Sequence, residues 1–172
     1  MNTLENMPLM IINFEQIDKI EKKVLCFEYI LSSLLQWYSE KRSKADNDFS
    51  VLKSMKLLFF VVAGDKKKNY YLLDNVFDSF KALPFGHVET EIYSYLKNKS
   101  GHLNYYEITN QKLIEKKAIT KEDWKSLRLV EPNIIQEIDE SIEYIKELNS
   151  NLVFQSAYEL VDLSHAWYSW KR

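Results

Sequence analysis

Apolar residues recur at helical spacing along most of this chain. After Asn13 they alternate in steps of three and four, which is typical of one face of a long amphipathic helix: Ile17, Ile20, Val24, Phe27, Leu31, Leu34 and Tyr38. Asn13, with Gln16 three residues later, is the predicted N-cap of this helix. Residues 1–12 show no strong pattern, and we expect them to form an N-terminal arm, either a loose segment or a short strand.

A second helix is predicted to begin after Asp48 or Ser50 and to end at Gly64, which is suited to a C-terminal cap. Its apolar face comprises Phe49, Leu52, Met55, Phe59 and Val62. Residues 57–63 are almost wholly apolar. Because such a segment leaves little surface for water, we expect this helix to occupy the centre of the fold.

A sharp corner is predicted around Gly86. Phe80–Leu83 should be extended, because the residue before a proline is biased away from helical geometry and Pro84 follows. Phe85 and Gly86 then form the turn, where glycine can adopt a positive φ at little cost. A third helix is predicted from about Val88 to Asn98.

The second half of the chain predicts a small β element among helices. Residues 105–108 have the composition of a short strand, which could pair with the extended segment at Phe80. Residues 113–117 are predicted as a short helix or turn. Residues 70–76 fit either a helix or a strand.

Three further helices have recognisable starts. Thr120 begins a short one with Asp123 in the capping position, and Pro132 occupies a favoured first helical position. Ser156, with Glu159 three residues later, is expected to cap a last helix that runs to about Ser164.

Composition favours helices over a many-stranded sheet. The 172 residues include only three glycines and three prolines, while 46% of residues are hydrophobic. A chain of this length can bury enough surface to fold without disulfides or metals. We predict a mainly α (α+β) fold: a compact multi-helix domain with a minor short β element, spanning residues 13–172 as a single domain.

Charge and hydropathy narrow the range of partners. The net charge is −2, so the chain lacks the concentrated basic surface on which phosphate binding depends, and we do not expect direct nucleic-acid binding. No apolar run approaches the roughly 20 residues of a membrane span, and no secretory signal is recognisable, so we expect no membrane partner. Cys26 is the only cysteine and lies among apolar residues, which predicts a buried, inert thiol and a cytoplasmic location.

Candidate catalytic chemistry is sparse. His87, His102 and His165 are far apart, and no paired metal-ligand spacing is present. Ser164 and His165 are adjacent, but neighbours on a helix point about 100° apart, which is poor geometry for a serine–histidine pair. We predict no enzyme activity and no catalytic, cofactor or metal site; His165 is expected to hydrogen-bond the backbone near the corner or the C-terminal tail.

Three segments together resemble a known family. A Lys-Leu-Leu-Phe-Phe run begins at Lys56, the corner is Phe-Lys-Ala-Leu-Pro-Phe-Gly-His-Val from Phe80, and a Leu-Ser-His segment at residues 163–165 precedes Trp170. In order and spacing they resemble the Panacea antitoxin domain, the SocA-like family of bacterial and phage proteins. The resemblance extends from about Val24 to the C-terminus. His87 stands where the family usually has a proline, and Ser54-Met55 replaces its usual glutamine.

The resemblance implies a function through protein binding. Members of the family neutralise a cognate protein toxin, usually encoded by the adjacent gene, by forming a direct complex. Alternatives are a proteolytic adaptor that delivers a toxin to a bacterial protease, and a phage or prophage regulator that binds DNA. The candidate partner-binding or structural residues are those of the motifs: Phe80, Ala82, Phe85, Gly86, His87, Val88, Tyr93, Leu160, Ser164, His165 and Trp170.

Overall fold

Helices make up most of the structure, a computed structural model that describes the backbone of residues 7–171 and the side chains of residues 19–166. The α-helices of this region are α1 (Met7–Tyr38), α2 (Val51–Ala63), α3 (Tyr71–Asn75), α4 (Thr90–Asn98), α5 (Lys121–Ser126), α6 (Pro132–Leu148) and α7 (Ala157–Lys171). The strands are β1 (Phe80–Leu83), β2 (Gly86–Glu89), β3 (Tyr106–Ile108) and β4 (Leu113–Glu115), and 3₁₀ turns occupy Lys44–Asp46 and Leu152–Phe154. The predicted mainly α fold with a minor β element is confirmed.

The central helix is α2, as expected from its apolar run. All its residues from Lys53 to Val62 are buried, and it packs against α1, α6, α7 and β2. Ser50 caps its start by accepting a hydrogen bond from the Lys53 backbone N–H at 3.2 Å. Gly64 ends it, donating its N–H to the Phe60 carbonyl at 2.8 Å. Both predicted caps are therefore confirmed.

The N-terminal helix begins earlier than expected. Asn13 lies inside α1, which starts at Met7, so the predicted cap is wrong and the predicted arm is helical from Met7 onward. Pro8 falls in the first turn, where a proline has no intrahelical hydrogen bond to lose. Residues 1–6 lie outside the described part of the chain. Although α1 has 32 residues, no helix within the described residues combines the length and apolar character that a membrane span requires.

The strands pair locally. Strand β1 pairs antiparallel with β2, in the register Phe80 opposite Glu89 and Leu83 opposite Gly86, while β3 pairs with β4. The expected pairing of residues 105–108 with the Phe80 segment is therefore wrong. Only two residues separate β1 from β2, and so short a connection favours pairing the strands that it joins. Residues 113–115 are a strand rather than the predicted helix or turn.

The helices after the corner differ from prediction mainly in their limits. Val88 belongs to β2, so α4 starts at Thr90 and not at Val88. Glu89 caps α4, accepting hydrogen bonds from two backbone N–H groups of its first turn. The last helix starts after Ser156 as predicted, but it continues to Lys171 instead of ending near Ser164.

The starts of the remaining helices agree with the sequence patterns. Thr120 and Asp123 form a capping box at the start of α5, and Pro132 begins α6. The segment that fitted either a helix or a strand contains α3. Cys26 is buried as predicted, and burial raises the pKa of its thiol to about 12.

A buried lysine joins α1 to the β1–β2 hairpin. The Lys23 ammonium donates hydrogen bonds to Asp78 at 2.8 Å, Glu89 at 3.2 Å and Glu91 at 3.0 Å. Lys23 is 2% exposed and Glu89 is fully buried. Glu89 also accepts the Ser79 backbone N–H at 3.0 Å, so one carboxylate links α1, the start of the hairpin and α4. The position of the hairpin therefore depends on this cluster.

A second buried carboxylate links α1 to the β3–β4 pair. Glu28 accepts the Tyr105 backbone N–H at 2.7 Å and the Asn104 side-chain amide at 3.1 Å. Burial raises the pKa of Glu28, and the hydrogen bonds that it accepts act in the opposite direction. Its neighbour Tyr29 donates to Asp139 of α6 at 2.6 Å, so α1 is fixed to two parts of the fold through adjacent residues.

Replacing Lys23 should destabilise the protein strongly. Lys23→Met would leave Glu89 buried without its cation, and breaking a buried ion pair in this way costs about 3–5 kcal/mol. Equilibrium urea unfolding would measure the change. Lys97→Met, an exposed lysine position on α4, is the control and should alter the free energy of unfolding by less than about 0.5 kcal/mol. Equal effects of the two variants would contradict the role assigned to Lys23.

Lowering the pH should reduce the free energy of unfolding of the wild type more than that of Lys23→Met. Lys23 and the Ser79 hydroxyl lower the pKa values of Asp78 and Glu91 below their ordinary values of 3.8 and 4.5. At pH values above these ordinary pKa values, the two ionised carboxylates stabilise the folded state. That stabilisation is lost as the pH falls through the lowered pKa values of the folded state. Urea unfolding between pH 7 and pH 3 should show the gap between the two proteins narrowing. Parallel curves would contradict this account.

Candidate functional site

The three motif segments meet at Gly86. Helix α2 contributes Lys56 and Phe59, the hairpin contributes Gly86 and its neighbours, and α7 contributes Ser164 and His165. The contacts of β2 with both α2 and α7 bring these segments together. Residues more than 100 positions apart in the chain thus surround one corner.

Gly86 occupies a position that no other residue would fill without strain. Its φ is +96°, so the positive φ expected at the corner is confirmed. A Cβ at this position would lie 2.9 Å from Lys56 Nζ, 3.0 Å from Ser164 Oγ and 3.5 Å from His165 Nε2. Three polar atoms therefore face the side of Gly86 where a side chain would be.

Lys56 is a buried cation with no carboxylate beside it among the described side chains. The whole residue is inaccessible to solvent, and its ammonium donates a hydrogen bond to the His87 carbonyl at 3.1 Å. Burial lowers its pKa to about 8 from the ordinary 10.5. Two other buried lysines differ in this respect, since Lys23 contacts three carboxylates and Lys53 contacts Asp48 at 2.6 Å.

Ser164 and His165 approach the corner from α7. Ser164 is buried, and its hydroxyl donates to the Val161 carbonyl at 2.7 Å, as is common for serines in helices. His165 is exposed, with its Nε2 directed at Gly86. The hydrogen bond that the sequence suggested between His165 and the corner backbone is not among those of the described residues, so proximity alone joins them.

His87 packs where the resembled family usually has a proline. Its imidazole stacks on the Phe59 ring at 5.2 Å between centroids and 12° between planes. Phe80 meets the same ring edge-on at 6.2 Å. Aromatic stacking onto α2 therefore supplies here some of the rigidity that a proline would otherwise give the turn.

The tip of the hairpin is apolar and exposed. Phe85 is 58% exposed and Leu83 is 44% exposed. Ala82 is exposed as well, whereas Val88 is buried against the core. The corner thus presents a small hydrophobic surface beside the exposed His165.

The remaining candidate residues are distributed differently. Leu160 is fully buried in the core, which makes it structural. Tyr93 is 42% exposed and lines a cleft formed by α4, the start of α2 and the end of β3, including Val51 and Ile108. Trp170 belongs to α7, but its side chain lies outside the described residues. Metal binding has no obvious place, since no group of three potential ligands comes together among the side chains that the structure describes.

Sequence reasoning missed the polar residues beneath the corner. Lys56 entered only as part of a motif, although a lysine within an apolar run from Met55 to Ala63 signals a buried charge. Lys23 and Glu89 gave no comparable signal. Lys23 lies more than 50 residues from each of the carboxylates that it contacts, so only the fold brings them together.

Comparisons of the chain with protein-family models, with curated proteins and with solved structures found no match.

The pKa of the buried Lys56 should lie well below those of the exposed lysines. A pKa of about 8 means that, between pH 8 and 10.5, the unfolded chain binds a proton that the folded chain does not, so stability relative to Lys56→Met should rise with pH in that interval. NMR titration of ¹³Cε-labelled lysines measures the pKa directly, and the resonance missing from Lys56→Met assigns the signal. A Lys56 midpoint near 10.5 would show that its ammonium is hydrated and not buried.

Proposed function

We propose that this protein is an antitoxin of a type II toxin–antitoxin system, which neutralises a cognate protein toxin in the cytoplasm by direct binding. The observation that carries the proposal is the convergence of the three motif segments on one exposed corner. The resemblance associates these three segments with a family of antitoxins. The segments are far apart in the chain, so their order alone does not require them to meet. We take the hairpin tip and the adjoining face of α7 as the toxin-binding surface.

The chemistry of the tip suits a protein partner. Large apolar side chains that project from a rigid support are typical binding anchors, and Phe85 and Leu83 have this character. The outer edge of β1 has no strand partner among the described residues, so its backbone groups are available to a partner segment. A stable complex buries roughly 800 Å² on each partner, which requires the tip and the exposed part of α7 together.

The rigid attachment of the hairpin also favours its tip as a binding surface. Lys23 fixes the base of the hairpin through Glu89, and Lys56 holds the backbone of β2 at His87. A preorganised surface loses less conformational entropy when it binds, so more of its contact energy appears as affinity.

An apolar groove is the competing surface. It lies between α6 and α7 with a volume of about 430 Å³, and Phe60, Leu148 and Leu163 are among its lining residues. Leu148 is 53% exposed. We favour the hairpin tip because the groove contains no residue of the corner motif.

Substitution of Phe85 tests the proposal. The chain is co-expressed with the product of the adjacent gene, and complex formation and rescue of growth are measured. Phe85→Ala should weaken the complex at least tenfold, about 1.4 kcal/mol, because it removes the largest exposed side chain of the tip. Leu127→Ala is the matched control, since Leu127 is 62% exposed and lies at the end of α5, which packs on α1.

Three results would count against parts of the proposal. Failure of the wild type to bind or neutralise the adjacent gene product would contradict the antitoxin function. Full binding by Phe85→Ala would contradict the tip assignment. Loss of binding in Leu148→Ala with retention in Phe85→Ala would assign the toxin to the groove.

A further inference from the structure

The hydrogen bonds of the hairpin show which way each residue of β1 directs its backbone. Leu83 lies opposite Gly86 beside the two-residue turn. The two residues that flank so short a turn exchange backbone hydrogen bonds with each other. At the other end of the hairpin, the Thr90 N–H donates to the Ser79 carbonyl at 2.9 Å. Residues 79, 81 and 83 therefore direct their N–H and C=O groups toward the second strand.

The backbone groups of Phe80 and Ala82 point to the opposite side of the strand. In an antiparallel pair, every second residue bonds to the neighbouring strand, and the residues between them direct their N–H and C=O groups away from it. No hydrogen bond of these groups is found among the described residues. Ala82 is exposed and Phe80 is half-buried. Such a row of unpaired backbone groups is a template for a further strand.

The outer edge of β2 is covered by helices. His87 lies opposite Ala82, so its carbonyl points away from β1, where it accepts a hydrogen bond from the Lys56 ammonium at 3.1 Å. Gly86 and Val88 are buried, and β2 contacts both α2 and α7. The edge of this sheet that can receive another strand is therefore the edge of β1.

The side chains of β1 favour one kind of occupant. Lys81 and Leu83 share one face of the strand, because side chains alternate along it. Lys81 is exposed and forms no ion pair with a described carboxylate, and Leu83 is 44% exposed. A strand added to β1 places one side chain beside each of them, and opposite charges in such cross-strand positions attract. An acidic residue therefore fits beside Lys81 and an apolar residue beside Leu83.

A second copy of the chain is the competing occupant. Pairing of two β1 edges about a two-fold axis would bring two Lys81 side chains onto one short sheet, and lysines on edge strands disfavour pairing of this kind. The four residues of β1 are also too few to provide the roughly 800 Å² per partner that a stable dimer buries. The charge of this edge fits an acidic partner better than it fits itself.

We propose that the protein partner of this chain adds an extended, acidic segment to β1 as a third, antiparallel strand. The backbone of the segment bonds to Phe80 and Ala82, a carboxylate lies beside Lys81, and an apolar side chain contacts Leu83. Main-chain hydrogen bonds supply the affinity of such a complex, and alternate side chains supply its specificity. The identity of the partner as a toxin rests on the proposed function, whereas the chemistry of the edge does not.

Removal of one outward N–H tests strand addition. Ala82→Pro deletes the N–H of Ala82 and none that β2 uses, and proline is tolerated on an edge strand where its nitrogen faces solvent. Ala82→Val is the matched control, because it keeps the N–H and favours extended backbone. In capture of the adjacent gene product, Ala82→Pro should weaken the complex at least tenfold, and Ala82→Val should bind like the wild type.

A peptide probe makes the test independent of the toxin. The peptide acetyl-Thr-Val-Thr-Glu-Thr-Val-Thr-amide is titrated in the millimolar range into the whole chain, and amide NMR signals are followed. Saturable shifts and slower hydrogen exchange are expected at Phe80 and Ala82 and should be lost in Ala82→Pro. Lys81→Glu keeps the backbone groups. It should bind this peptide several-fold more weakly than the wild type and prefer a peptide with Lys in place of Glu.

The outcomes separate this proposal from the antitoxin function. Capture that Ala82→Pro loses and Ala82→Val keeps supports strand addition. Equal capture by Ala82→Pro and the wild type would overturn it and leave the antitoxin function intact. If the wild type does not capture the adjacent gene product, the antitoxin function fails and the peptide decides. Binding that Ala82→Pro abolishes then supports strand addition, and the absence of saturable shifts overturns it.

Two further results bear on the occupant. Light scattering that finds a dimeric wild type and a monomeric Ala82→Pro would assign the edge to a second copy and overturn the choice of partner. If Ala82→Pro does not fold, the charge exchange at Lys81 decides in its place. A reversed peptide preference in Lys81→Glu supports the proposal, and an unchanged preference overturns it.

Discussion

The ion cluster around Lys23 is the interaction on which the rest of the candidate site depends. A two-stranded hairpin is only marginally stable by itself, so β1 and β2 need support from the helices. Lys23 provides it by holding Glu89, which in turn caps α4 and binds the start of the hairpin through Ser79. Without this cluster there would be no fixed corner for α2 and α7 to meet.

Two features of the corner reduce the stability of the fold, and a purely structural turn would need neither. Gly86 has a backbone conformation that only glycine adopts readily, and Lys56 buries a charge without an acidic neighbour among the described side chains. Local features that reduce stability are commonly found where a protein binds or reacts, which is why the corner and its exposed tip are the regions to test.

The sequence predicted those features that local physics controls. Apolar periodicity predicted α1 and α2, and the residues Ser50, Thr120 and Pro132 marked helix starts because capping depends on near neighbours. The positive φ of Gly86 followed from its place after Pro84 and Phe85.

Features set by long-range packing were not predictable in this way. The pairing of β1 with β2 competes with other partners of similar composition, and a two-residue connection decided it. The helical start at Met7 and the continuation of α7 to Lys171 have no capping signal in the sequence. Residues 56, 86, 164 and 165 come together only in the folded chain, where a lysine and a serine pack against Gly86.

Hydrogen–deuterium exchange on the protein with and without the adjacent gene product tests the central claim most directly. If the corner is the toxin-binding surface, residues 80–88 and the middle of α7 around His165 will gain protection in the complex, while α5 will not change. Protection confined to α5, α6 or the β3–β4 pair, with the hairpin unaffected, would contradict the account.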